Sequence, residues 1–179
     1  MKHISQIHRN PEPRPVSTET RGLLAMPPLI GRRIPPSLRQ SAGQIPPAAY
    51  RRLIRDSKET YKISVRKWRR HMSGMAYELL YDDGSIKRLI SAPRPRSPVS
   101  AAIFLHEVGH HAIGFRRYGC RCLEEYYVWQ WTFREMTGRR IPITDRVLRH
   151  YHRSMHHYVR LARKNGLREL PAQLHAFVG

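Results

Sequence analysis

The chain has 179 residues, room for one compact domain with a single hydrophobic core and some tail. Thirty-three Lys and Arg against thirteen Asp and Glu give a formal net charge of +20, well beyond the modest charge of an ordinary small soluble domain. That excess implies a polyanionic partner. It is steeper toward the N-terminus, with sixteen basic and four acidic residues over 1–72 against seventeen and nine over 73–179, so nucleic-acid contact is expected to begin on that side. The start of the chain lacks the apolar run of about 7 to 15 residues of a secretory signal, and nothing approaches a membrane span. Cys120 and Cys122 are too close in sequence for a useful loop-closing disulfide, which suits a reducing compartment. The expectation is a cytoplasmic protein with no membrane partner.

Residues 1–46 read as a basic, Pro-rich arm, because Pro-Pro pairs at 27–28, 35–36 and 46–47 remove backbone donors and disfavour helix. The same segment reads equally well as an extended strap docked through Leu23, Leu24, Met26, Leu29 and Ile30. Residues 47–179 then read as one domain. The spacing of Tyr50, Leu53 and Ile54 predicts a helix over 48–58. Residues 61–72 are ambiguous: Tyr61, Ile63 and Val65 alternate as in a strand, whereas Val65, Trp68 and Met72 fit a helical face. Two strand-like segments, 75–81 and 85–91, flank Asp82-Asp83-Gly84 and predict an antiparallel hairpin. Ser97-Pro98 supplies an N-cap and first helical position for a helix running to Ile113 and stopped by Gly114. After a loop over 115–122, a second helix is expected over 123–136. A third follows, capped by Thr144 or Asp145 and ending before Gly166, and a short helical turn lies within 167–177.

The first of these long helices carries His106-Glu107-Val108-Gly109-His110. Imidazoles four positions apart project from one face and can grip a single ion, while Glu107, about 100 degrees around the helix, can reach a metal-bound water without being a ligand. Two histidines and a third protein ligand leave a position open for water, as catalytic zinc requires. Three sources compete for that third ligand: a nearby His, a Glu on the following helix, or the distant histidines at 150, 152, 156 and 157. A metzincin would need Gly at 113 and His at 116, where the chain has Ile113 and Arg116. The second helix offers Glu124 and Glu125, fourteen and fifteen positions after His110.

His106-Glu107-Val108-Gly109-His110 followed by Glu125-Tyr126-Tyr127-Val128-Trp129-Gln130-Trp131 resembles the ImmA/IrrE-type metallopeptidases, over roughly residues 75–136. These show HExGH and then a helix with Glu-x-x-Ala-Asn-x-Phe-Ala. Matching that helix sets Val128 at the Ala, Trp129 at the Asn or Asp, Trp131 at the Phe, and Glu125 at the ligand carboxylate. Glu124 is the next candidate. The resemblance implies an α+β fold, a mainly helical zincin-like domain with a small antiparallel β-hairpin packed on the active-site helix. It implies Zn2+ held by His106, His110 and Glu125, with Glu107 as general base of an endopeptidase. The expected partners are a protein or peptide substrate, such as a DNA-associated regulator, and nucleic acid through the basic N-terminal part.

The alternative from another class is a nucleic-acid-binding protein whose zinc site is structural or inactive. A third reading is a DNA-associated protease whose third ligand is a further histidine. His152 and His156 form an i, i+4 pair that reads mainly as a solvated basic face. His111 reads as a packing neighbour of His110, and Cys120 and Cys122 as partly buried loop thiols. For the group that would receive the developing oxyanion, the chain offers Tyr126, Tyr127, His111, His152 and His156 without deciding among them.

Overall fold

A computed structural model describes residues 45–178. The arm or strap read over the first 44 residues lies outside them. The described residues form helix α1 (Pro47–Tyr61), strands β1 (Ile63–Arg69), β2 (Met75–Leu80) and β3 (Ile86–Pro93), then helices α2 (Pro98–Ile113), α3 (Arg121–Gly138) and α4 (Asp145–Lys164) and a closing 3-10 turn, Ala172–Phe177. The fold is α+β and mainly helical. None of these helices is long and apolar enough to cross a membrane.

Pro46 and Pro47 start α1 rather than block it: Pro46 is extended at the N-cap, and the fixed φ of Pro47 suits the first helical position. The helix buries Tyr50, Leu53 and Ser57, and ends where Lys62 turns left-handed at φ 53°.

The ambiguous stretch after it becomes a strand. β1 pairs in parallel with β3 from Ile63 opposite Arg88 to Arg69 opposite Pro93, with a register shift between Val65 and Lys67. The sheet therefore has three strands in the order β1-β3-β2, where the sequence reading anticipated the hairpin alone. Pairing between segments some twenty-five positions apart leaves no trace in local periodicity, and the bulge breaks the alternation that would have marked the strand. The hairpin forms as expected, with Met75 opposite Ser91 and Leu80 opposite Ile86. Its turn is closed by Tyr81 N–H to Ser85 O and Gly84 N–H to Tyr81 O, both 2.9 Å, with Gly84 at φ 78° and the Asp83 carboxylate accepting from Ser85 N–H at 2.9 Å. Central β3 is buried continuously from Leu89 to Pro93.

α2 packs on this sheet and is buried along nearly its whole length, as its run Ala101 to Leu105 requires. Ser97 and Ser100 form a reciprocal capping box: the Ser97 hydroxyl accepts from Ser100 N–H and the Ser100 hydroxyl accepts from Ser97 N–H. α3 begins two residues earlier than expected, at Arg121, after an extended Cys120. α4 is strongly two-faced, burying Val147, Tyr151, Met155 and Val159 at every fourth position. Its Tyr151 ring sits among Trp129, Phe133 and Phe177 at centroid distances of 5.6, 5.2 and 5.4 Å.

α2 and α3 approach closely at Gly109. A Cβ there would stand 2.9 Å from the Trp131 ring and 3.0 Å from Val128 Cγ1. Gly109→Ala should therefore lower stability even though alanine is the better helix former by about 1 kcal/mol, because overpacking a rigid indole costs about 1–3 kcal/mol. Urea denaturation should show a lower midpoint with an unchanged slope.

Candidate metal centre

α2 presents His106 and His110 one turn apart, and α3, packed across it, brings the Glu125 carboxylate between them. His106 Nε2–H donates to Glu125 Oε2 across 3.0 Å, and His110 Nε2 faces Glu125 Oε1 at 3.5 Å. The two rings stand nearly perpendicular, 5.0 Å apart. One donor atom from each of the three residues lies within 4.8 Å of the others, and all three residues are buried. Donors held about 2.0–2.2 Å from a tetrahedral ion stand about 3.3–3.5 Å apart, so the observed separations fit a shared ion with small adjustment. Among the described residues these three could hold a metal ion.

The charge states suit the same reading. Burial works against the ionised form of Glu125, but the hydrogen bond and charge of His106, with the charges of His110 and Arg121, bring its carboxyl down to about 2. Burial lowers the pKa of His110, against the opposing pull of Glu124 and Glu125.

Adjacent Glu124 has a different place. Its Oε1 lies 3.4 Å from His110 Nδ1, behind the ring, and it also accepts from Arg121 Nη1 at 2.5 Å and, through Oε2, from the Arg116 backbone N–H at 2.6 Å. A carboxylate in that position orients an imidazole from its far side while Glu125 meets the near side. His106 is oriented differently. Its ring packs on Trp129 at 4.5 Å, and the Trp129 indole N–H donates to Ser154 Oγ of α4 at 3.3 Å. The large ring at this position thus fixes His106 by contact, while the His106 Nδ1 atom is buried without a hydrogen-bond partner.

Glu107 is 6% exposed and outside the ligand cluster. Gly74, just before β2, passes so near that a Cβ there would overlap the Glu107 carboxylate, with Oε1 and Cδ at 2.1 and 2.4 Å. Burial raises the Glu107 carboxyl to about 7; the charges of His106, Arg121 and Arg69 pull the other way, and Glu125 adds to the rise.

The remaining residues singled out in the sequence fall elsewhere. His111 is a packing residue as expected: its Nε2–H donates to Leu89 O at 3.2 Å, tying α2 to the central strand. Tyr127 stacks on Tyr118 at 4.5 Å and Tyr126 lies edge-on to it, within the core. His152 and His156 flank Phe177 at 5.8 and 6.0 Å and join no ligand group among the described residues. Cys120 and Cys122 are free, with their sulfurs 3.1 Å apart. Two groups at the site carried no sequence signal as site residues. Arg121 bridges both glutamates, its Nη2 reaching Glu125 Oε1 at 2.6 Å, and Tyr158 of α4 lies beneath its guanidinium at 5.9 Å. His150 also turns this way, with its ring 5.9 Å from Trp129. The spacing of Arg121 four residues before Glu125 is the one clue that was available. Comparisons with family models, curated proteins and solved structures find no match for the chain.

The elevated carboxyl of Glu107 makes stability depend on pH. The folded state holds this proton up to about pH 7 while the unfolded chain releases it near 4.5, so the contribution is fully present below the unfolded value and lost as pH rises through the folded one. In metal-free protein, Glu107→Gln should therefore be more stable than the parent at pH 8, by up to about 3 kcal/mol, with the difference shrinking toward pH 4.5. Denaturant midpoints of both chains in chelator across that range measure it.

Proposed function

We propose that the protein is a zinc-dependent endopeptidase, and the observation that carries the proposal is the convergence of His106, His110 and Glu125 on one point beside the buried carboxylate of Glu107. Two neutral nitrogens and one carboxylate oxygen are a donor set that suits zinc, with a coordination position left for water. Bound there, zinc supplies the Lewis acidity that makes water a competent nucleophile near neutral pH.

The chain's own residues do the rest. Glu107, held in place beside the Gly74 backbone, takes a proton from the attacking water. As the peptide C–N bond breaks, it returns that proton to the leaving nitrogen. A carboxyl titrating near 7 before the metal enters is matched to both halves of this exchange. Glu124 holds His110 from behind, and Trp129 holds His106, so that both rings face Glu125. The resemblance of the His106–His110 and Glu125–Trp131 segments to ImmA/IrrE-type metallopeptidases supports the same activity, and with the charge of +20 it favours a nucleic-acid-associated protein as substrate.

The reading in which zinc is structural and the chain acts only by binding nucleic acid rests on that charge and on the exposed basic residues in and just after β1, Arg66, Lys67 and Arg70. Metal content and activity separate the two. Purified protein should hold one zinc per chain. Glu125→Ala should lose it, whereas Glu124→Ala should keep it with roughly 10- to 100-fold weaker affinity. Glu107→Gln should retain zinc but lower peptide hydrolysis by at least about 100-fold. Full hydrolysis by Glu107→Gln, or nucleic-acid binding by a zinc-loaded parent chain that cleaves no protein, would sink the peptidase reading.

A further inference from the structure

Peptide hydrolysis needs one group the assignment above leaves open. When water attacks, its oxygen bonds to the carbonyl carbon, the carbonyl π pair moves onto oxygen, and a negative charge develops there. The groups that the sequence offers for this charge are occupied elsewhere: His111 on Leu89 O, Tyr126 and Tyr127 in the core, His152 and His156 around Phe177.

We propose that Arg121 is the catalytic residue that receives the oxyanion, and that Tyr158 is the positioning residue that aims it. The inference rests on the peptidase reading. Arg121 stands in the first turn of α3, with Nη1 2.5 Å from Glu124 Oε1 and Nη2 2.6 Å from Glu125 Oε1. A guanidinium has five N–H donors in a fixed fork, so two facing these carboxylates and one shared with the Tyr158 phenol leave two. The Glu125 side chain is fully buried, whereas 48% of the Arg121 side chain is exposed. The guanidinium is thus half-exposed while it meets the buried ligand carboxylate, and it remains cationic at any working pH. A fixed positive charge beside the site of charge development stabilises the transition state without reorganising.

Tyr158 accounts for the aim. The guanidinium carbon lies over its ring at 5.9 Å, and the phenol is in hydrogen-bond contact with the same guanidinium. α4, which carries Tyr158, is tied to the site one turn earlier by the hydrogen bond between Ser154 and Trp129. Arg121 is therefore clamped between two carboxylates on its own helix and a phenol on the next. A purely structural Arg121, present only to neutralise Glu124 and Glu125, would act through metal affinity alone, and this difference is measurable.

The test uses the full chain loaded with zinc, in three arms: zinc affinity by competition with a fluorescent chelator, cleavage of β-casein at saturating zinc, and calorimetric binding of inorganic phosphate as a tetrahedral anion. At saturating zinc, Arg121→Gln should lose about 100- to 1,000-fold in kcat with little change in KM, and bind phosphate at least tenfold more weakly. Tyr158→Phe should lose about tenfold in kcat with zinc affinity unchanged, and added guanidinium ion should partly rescue Arg121→Gly. If Arg121→Gln instead loses zinc and recovers full activity once zinc is in excess, Arg121 only holds the carboxylates and the proposal fails. It fails equally if kcat and phosphate affinity survive the substitution. A parent chain that binds zinc but cleaves nothing removes the peptidase reading by itself, and the phosphate arm then decides whether Arg121 serves an anion.

Discussion

A carboxylate removed completely from water, that of Glu125, is the constraint around which the rest of the structure is arranged. An ionised carboxylate in such a place is costly unless opposite charges and hydrogen-bond donors surround it. Here His106, His110 and Arg121 meet it, and together they hold the carboxyl at about 2 despite its burial. That requirement dictates how α2 and α3 lie against each other. It also explains why a helix as apolar as α2 tolerates the buried imidazoles of His106 and His110.

The close approach of the two helices has its own conditions. Gly109 clears the space for Trp131 and Val128, and Gly74 clears the space for Glu107. Both glycines serve through the absence of a side chain rather than through an unusual backbone angle. The same packing raises the Glu107 carboxyl by burial, so its ionisation burdens the metal-free fold at neutral pH.

The surroundings of the cluster differ on its two sides. Behind His110 lies Glu124, held by a backbone N–H and by Arg121; behind His106 lies the face of Trp129. His110 also stacks on Phe115, with centroids 5.7 Å apart and planes 7° from parallel. Because Trp129 also donates to Ser154, α4 takes part in the orientation of His106, and the site is built by three helices although two of them carry all of its ligand candidates.

The local features were legible in the residues themselves. The i, i+4 histidines, the Ser-Pro start and Gly stop of α2, and the Asp-Asp-Gly hairpin turn each depend on a few neighbouring positions, and a helix or turn fixes their geometry wherever it is placed. Tertiary structure decided what depends on contacts between distant segments. It added β1 to the sheet through a parallel pairing with β3. It set Glu125 on the near side of His110 and Glu124 on the far side, a distinction between adjacent residues that turns on how α3 is rotated against α2. It also gathered Arg121, Trp129, Ser154 and Tyr158 around the cluster from two helices. Spacing along one helix constrains only the side chains of that helix; which other chain segments close around them is settled by packing, and no local pattern encodes that.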